Sequence, residues 1–340
     1  MMVFRFPALA LSAALILGGC AVQEETPANQ DEKTYIDAWL LTHYPDAVRS
    51  GISTYILSDT PGDGSGLIIP GYAMVTYTVT DLEGNITSTS DSLKAKQTGE
   101  FDKSYYYGPR VWNVSDNSLN KGLEDMISDM VTGGTRTALI PGWTQTYNRY
   151  ETEEEYMKNV TGNSHQIYTV KLNRVVDDIM KWQIDTIERY FRKNFPGENP
   201  TAVDEGFYYR SSPDTPGTGS PEDLHKDTTI YINYTGKLLN GQVFDTTIEN
   251  VAKDNNIYSA SKTYGPVEVQ MAEDSISIQL DGNSIISGFG KTLWEMKPME
   301  KGTGLFYSDY GYSTSGSGSL IPEYAPLVFE IEIVKDPEEE

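Results

Sequence analysis

Hydrophobic positions recur every three to four residues between Val175 and Phe195, where Ile179, Trp182, Ile187, Tyr190 and Phe191 fall near one stripe. This spacing predicts a helix that packs one face or bridges two units. Pro196 ends it, because proline cannot continue a helix. After a Pro/Gly turn the period changes to two, with Ile230, Ile232 and Tyr234 on one face of a strand. Asn240-Gly241 then supplies the positive-φ residues of a tight hairpin before Gln242, Val243 and Phe244. A short helix is expected near Gly290 to Met296, and Leu327 to Ile333 closes the unit as a strand. Antiparallel strands with one short helix against them make an α+β pattern.

The same order occurs earlier in the chain. IDAWLLTHYP (36–45) lies without a gap on IERYFRKNFP (187–196), and an Asp-Thr-Pro-Gly segment starts at Asp59 and again at Asp214. MVTYTVTDLEGN (74–85) parallels YINYTGKLLNGQ (231–242), and Gly122-Leu123 with Met130 parallels Gly288-Phe289 with Met296. Four correspondences in one order predict a tandem duplication. The expected division is a first domain at 32–178, a linker helix and turn at 179–206, and a second domain at 207–338.

With 38% hydrophobic and 22% charged residues the chain is neither fibrous nor disordered. Its net charge of −23 excludes a nucleic-acid partner, since a body this acidic repels a polyanion. The single cysteine, Cys20, excludes a disulfide framework and a cysteine-ligated zinc site. His43, His165 and His225 are far apart without ligand spacing, so neither a metal nor a cofactor is expected.

After Arg5, residues Phe6 to Gly19 carry no charge, and the run ends in Leu17-Gly18-Gly19-Cys20. It is too short for a membrane span and suits a signal peptide. Small residues before a cysteine resemble the bacterial lipobox, which implies cleavage after residue 19 and lipidation of Cys20. An ordinary secretory signal with an incidental cysteine is the other reading. Residues 20–31 read as a polar tether. The expected location is the bacterial cell envelope, at the outer membrane, with its periplasmic or surface face left open. The lipid anchor is the only membrane contact expected, because an acidic body does not adhere to anionic lipid.

The second unit resembles the FKBP family of peptidyl-prolyl cis-trans isomerases. The likeness is carried by Tyr234-Thr235-Gly236, Gly241 to Asp245, Ile285 to Phe289, Ser308 to Tyr312, and Leu320 to Phe329. The resemblance implies two tandem half-barrels of antiparallel strands, each wrapped on a short helix, with an apolar pocket for the proline ring. Its walls would be Tyr234, Phe244, Ile285, Ile286, Phe289 and Phe329, with Asp245, Tyr312, Leu320 and Ile321 at the rim. Phe289 stands where the family usually has tryptophan, which bears on macrolide affinity, and Ile276 aligns with a further aromatic position. Residues 248–275 exceed the family core and read as an inserted flap. Tyr312 is expected to donate to a substrate carbonyl, and Asp245 to contact the strained carbonyl or orient pocket side chains. These two are the catalytic candidates.

In the first unit Thr87 and Ser88 replace Phe244 and Asp245, and no counterpart of the Tyr312 loop follows Trp143. The acidic run Glu151 to Tyr156 reads as a solvated face. The first unit is therefore expected to be structural or client-contacting and without isomerase activity. The function implied is isomerisation of X-Pro bonds in exported polypeptides, with proline-containing clients and a macrolide as candidate partners. A peptide-binding chaperone without turnover, or a surface docking lipoprotein to which the 23 tyrosines would suit a contact surface, are the alternatives.

Overall fold

The computed structural model describes residues 28–337. The expected signal segment 1–19, Cys20 and most of the 20–31 tether lie outside the described residues.

The first sheet contains β1 (Val48–Ser50), β2 (Thr54–Thr60), β3 (Tyr72–Thr80), β4 (Ile86–Thr89), β5 (Arg110–Asn113), β6 (Thr135–Ile140) and β7 (Gln166–Val176). Its order is β1-β2-β6-β7-β3-β4, with β5 also paired to β3. The second contains β8 (Ala202–Asp204), β9 (Phe207–Pro216), β10 (Thr229–Leu238), β11 (Val243–Thr246), β12 (Val267–Gln270), β13 (Gln279–Leu280), β14 (Asn283–Ser284), β15 (Glu300–Phe306) and β16 (Leu327–Val334). Its order is β8-β9-β15-β16-β10-β12-β13-β14, with β11 also on β10. Strand for strand the two orders coincide, and only the β13–β14 hairpin is additional. Both sheets are antiparallel, so the α+β architecture expected from the alternating pattern is the one formed.

The helices are α1 (Gln30–His43), α2 (Ser92–Thr98), α3 (Lys121–Ile127) and α4 (Glu153–Asn159) in the first unit, α5 (Ile179–Asn194) after it, and α6 (Glu249–Asp254) and α7 (Ser287–Glu295) in the second. The short helices α3 and α7 lie against their sheets at a glycine. A Cβ on Gly288 would sit 2.5 Å from the Phe306 ring, and one on Gly122 would sit 2.2 Å from Ile140. The repeated Gly-Leu and Gly-Phe pairs thus mark the same close helix-to-strand approach in both units.

Four local expectations need correction. Val175 and Val176 belong to β7, and α5 begins at Ile179, where the Asp178 side chain accepts the N–H groups of Met180 and Lys181. In the hairpin after β10 only Gly241 has a positive φ, 89°, and Gly84 at the same place in the first unit has 88°. The Gly241 N–H donates to the Leu238 carbonyl at 2.9 Å, so a turn precedes one left-handed glycine instead of two such residues. The acidic run at 151–156 is not only a solvated face. Thr152 and Glu155 form a capping box that starts α4, and Tyr156 is fully buried against Ile36, Leu40 and Trp143. In the segment 248–275, residues 267–270 form β12 within the sheet, so the insertion is not a flap throughout.

The helix α5 packs on the second sheet. Ile187 and Phe191 join Tyr208, Leu305 and Val328 in one apolar cluster. Gln183 interrupts that stripe and is itself buried: its Oε1 accepts the Ser308 N–H at 2.7 Å, and its Nε2 donates to Ser308 Oγ at 3.1 Å.

Candidate active site

The pocket residues come from four elements. β10 presents Tyr234, β11 presents Phe244 and Asp245, α7 and its N-terminal approach present Ile285, Ile286 and Phe289, and β16 presents Phe329. The loop between β15 and β16 adds Tyr312, Leu320 and Ile321. Tyr234, Phe244, Phe289, Ile321 and Phe329 share one buried cluster, and Ile285, Ile286, Tyr312 and Leu320 pack against it half-buried. The structure therefore brings together the apolar residues expected at the walls and rim of the pocket. Ile276 is not among them; it is 82% exposed on a turn.

Phe329 is the hub of an aromatic box. Its ring meets Phe289 edge to face at 4.9 Å, Phe244 edge to face at 5.5 Å and Tyr234 tilted at 6.2 Å, while Tyr234 meets Phe289 at 5.3 Å. Edge-to-face rings place positive edges on negative faces. Gly236 makes room for this arrangement, since a Cβ there would lie 2.6 Å from the Phe244 ring and 2.9 Å from that of Phe329.

The polar side is built on Asp245. Its Oδ2 accepts the Tyr234 O–H at 2.7 Å, its Oδ1 accepts the Thr246 N–H at 2.9 Å, and Lys262 forms an ion pair with it. Burial, and then the adjacent Asp245 carboxylate, push the Tyr234 phenol well above its usual range. The same two causes raise Tyr312. Among the described residues, nothing accepts a hydrogen bond from the Tyr312 hydroxyl. Lys262 was invisible to motif reading, because it lies in the insertion and no pattern ties it to Asp245.

The first unit keeps the frame and lacks the walls. Thr78 and Thr89 share a hydroxyl contact of 2.8 Å where Thr235 and Thr246 share one of 2.9 Å. The Tyr77 N–H donates to Ser90 Oγ at 2.9 Å where Tyr234 N–H donates to Thr247 Oγ1 at 3.0 Å. That register sets Ser88 opposite Val79 and Asp245 opposite Gly236, so Thr87 and Ser88 occupy the places of Phe244 and Asp245.

Residues 220–334 match the family model of the FKBP-type peptidyl-prolyl cis-trans isomerases. The chain is similar to a probable FKBP-type peptidyl-prolyl cis-trans isomerase of Haemophilus influenzae, 26% identical over 145 residues, which are 42% of this chain and 48% of that protein. It thus spans about half the length of that relative. It is also 26% identical over 117 residues to an FK506-binding protein of Neisseria meningitidis serogroup B, covering 34% of this chain and 87% of the other. Among solved structures it is similar to a peptidyl-prolyl cis-trans isomerase of Pseudomonas syringae pv. tomato, with 23% identity, 47% of this chain and 97% of that one covered, and a TM-score of 0.31. The likeness to the FKBP-type peptidyl-prolyl cis-trans isomerases thus falls on residues 220–334, in the second of two units of the same strand order.

Proposed function

We propose that residues 207–338 isomerise X-Pro bonds of exported polypeptides in the pocket bounded by Tyr234, Phe244, Ile285, Ile286, Phe289, Leu320, Ile321 and Phe329. The observation that carries this reading is the aromatic box around Phe329 with the unengaged Tyr312 hydroxyl at its rim.

Rotation about an X-Pro bond must break amide resonance, a barrier of about 18 to 20 kcal/mol, yet the two isomers differ by only about 0.5 to 1 kcal/mol. No bond is made and no proton has to move. A water-poor cavity favours the twisted amide because that state is less charge-separated than the planar one. In this scheme the box takes the proline ring, the Tyr312 O–H donates to a substrate carbonyl, and Asp245 holds Tyr234 and Lys262 in place. Neither Tyr312 nor Asp245 acts as general acid or base. A macrolide is a further candidate ligand of the same pocket.

The first domain, with Thr87 and Ser88 in the decisive places, is proposed to be structural or client-contacting. The motif Leu17 to Cys20 supports attachment of the protein to the bacterial envelope by lipidated Cys20; mass spectrometry of the mature N-terminus checks it.

The test is the cis/trans exchange rate of short X-Pro peptides, measured by magnetisation exchange with the full chain. Exchange no faster than in buffer overturns the isomerase reading.

A further inference from the structure

The first domain reaches the pocket of the second. Between α2 and β5 runs a segment carrying Tyr105, Tyr106 and Tyr107, and it is fastened to two different elements of the pocket. The Tyr106 N–H donates to the Ser319 carbonyl at 2.8 Å, in the loop just before Leu320 and Ile321. The Gln242 side chain donates to the Tyr105 carbonyl at 3.1 Å, in the turn just before Val243 and Phe244. Between these fastenings the Tyr106 ring packs against the apolar cluster that contains Phe244, Ile321 and Phe329. Its hydroxyl turns back to its own segment, donating to the Pro109 carbonyl at 3.2 Å.

The attachment is reinforced one step further on. Arg110 holds Glu323 through two hydrogen bonds, Nε at 3.0 Å and the terminal nitrogen at 2.9 Å, in a half-buried pair. Tyr324 beside it meets Tyr72 edge to face at 5.3 Å. A planar guanidinium on a carboxylate sets position as well as charge. The loop that carries Leu320 and Ile321 is therefore held against the first domain, and Tyr106 is presented at a set place beside it.

We infer that Tyr106 is a wall of the substrate site, contributed by the first domain, and that it selects for a bulky apolar side chain next to the proline. This rests on the isomerase reading of the second domain. A peptide whose proline ring enters the aromatic box must leave the pocket past its rim, where the segment carrying Tyr106 is fastened to Ser319 and Gln242. A leucine or phenylalanine laid on that ring is removed from water and gains ring contact, whereas a glycine gains neither. The first domain then has a use in the reaction without a working pocket of its own.

The experiment compares the full chain with its Tyr106→Ala and Tyr106→Phe variants on four peptides bearing Leu, Phe, Ala or Gly before proline. Exchange rates come from magnetisation exchange and affinities from calorimetry on the same peptides. Tyr106→Ala is expected to lose about fivefold in kcat/KM on the Leu and Phe peptides, through KM, and to leave the Gly peptide unchanged. Tyr106→Phe is expected to keep the wild-type profile, because the hydroxyl bonds only its own segment. An equal loss on all four peptides overturns the inference in favour of a merely structural ring, and a gain on all four overturns it in favour of a ring that blocks the pocket. Binding without turnover by the wild-type chain sinks the isomerase reading, and the order of affinities then decides the wall. Absence of binding by all four peptides overturns both.

Discussion

The Tyr234 hydroxyl donates a 2.7 Å hydrogen bond to Asp245, across the hairpin that joins β10 to β11. The same carboxylate takes the Thr246 N–H and the Lys262 ammonium, so its oxygens are engaged before any substrate arrives. That arrangement favours the orienting role over direct contact with the strained carbonyl. Asp245→Ala leaves the Tyr234 hydroxyl without its acceptor, and losing one hydrogen bond to a charged group costs about 1.5 to 3 kcal/mol. A fall in kcat/KM of about tenfold or more is expected from that range. Asp245→Asn keeps an acceptor for Tyr234 and should retain most of the activity in the peptide-exchange assay; equal loss in both variants would show that the charge itself matters.

Tyr312 differs from Tyr234 in having a hydroxyl that nothing in the described chain engages. Tyr312→Phe removes one neutral donor and no packing. A net hydrogen bond of about 0.5 to 1.5 kcal/mol corresponds to roughly a two- to tenfold loss of kcat/KM. The melting temperature should stay where it was. A drop in stability with unchanged turnover would place Tyr312 in the fold and outside the reaction.

Alkaline pH separates the two effects of burial on these phenols. Burial comes first and the nearby Asp245 second in raising both Tyr234 and Tyr312 above the ordinary value of 10.0. Below pH 10 the folded and unfolded chains both hold these protons, and this pair gives stability no pH dependence. Above pH 10 the unfolded chain loses protons that the folded chain keeps, so the contribution declines as pH rises toward the folded values. Turnover is expected to stay level through pH 10, and ultraviolet titration should show these two tyrosines ionising after the exposed ones. Loss of activity with a midpoint below pH 10 would contradict this.

A methyl group at either helix–sheet contact is a matched test of the duplication. Gly288→Ala drives a Cβ into the Phe306 ring, and Gly122→Ala drives one into Ile140. Overpacking of this kind costs about 1 to 3 kcal/mol. Each variant should lower the denaturant midpoint of unfolding, and only Gly288→Ala should also reduce peptide turnover. Unchanged midpoints would mean that the helices can shift away at no cost.

The Gln183 amide and the N–H and hydroxyl of Ser308 form a closed pair inside the apolar contact between α5 and the second sheet. Gln183→Leu leaves the buried Ser308 N–H without a partner, which costs about 1 to 3 kcal/mol despite the added apolar surface. Chemical denaturation of the full chain measures it. A stabilised variant would show that the burial of leucine outweighs the orphaned donor.

Much of the fold was legible because it rests on local rules. The period of two around Tyr234, the three-to-four spacing of Ile187 and Phe191, and the left-handed glycines at 84 and 241 depend on residues close in sequence. The start of α5 was misjudged by period alone, since the apolar Val175 and Val176 suit the end of a strand as well as the start of a helix. Asp178, with a side chain that caps the first turn, is the local signal that separates the two. Tyr156 was misread for a related reason: one buried aromatic at the end of an acidic run carries little periodicity, and its burial depends on α1 and Trp143 far away in the chain.

By itself the sequence determined the duplicated α+β plan, because helix period, strand alternation and turn glycines are short-range; the members of the aromatic box followed from the resemblance of its ordered motifs to a known family. Only the tertiary structure decided which groups far apart in the chain meet. Lys262 reaches Asp245 from an insertion, Gln183 finds Ser308, and Tyr106 crosses from the first domain to Ser319 and the second domain's core. A charge, an amide or an exposed-looking tyrosine has no fixed partner in a linear pattern; its partner is set when distant loops pack and its polar atoms must be satisfied where they come to rest.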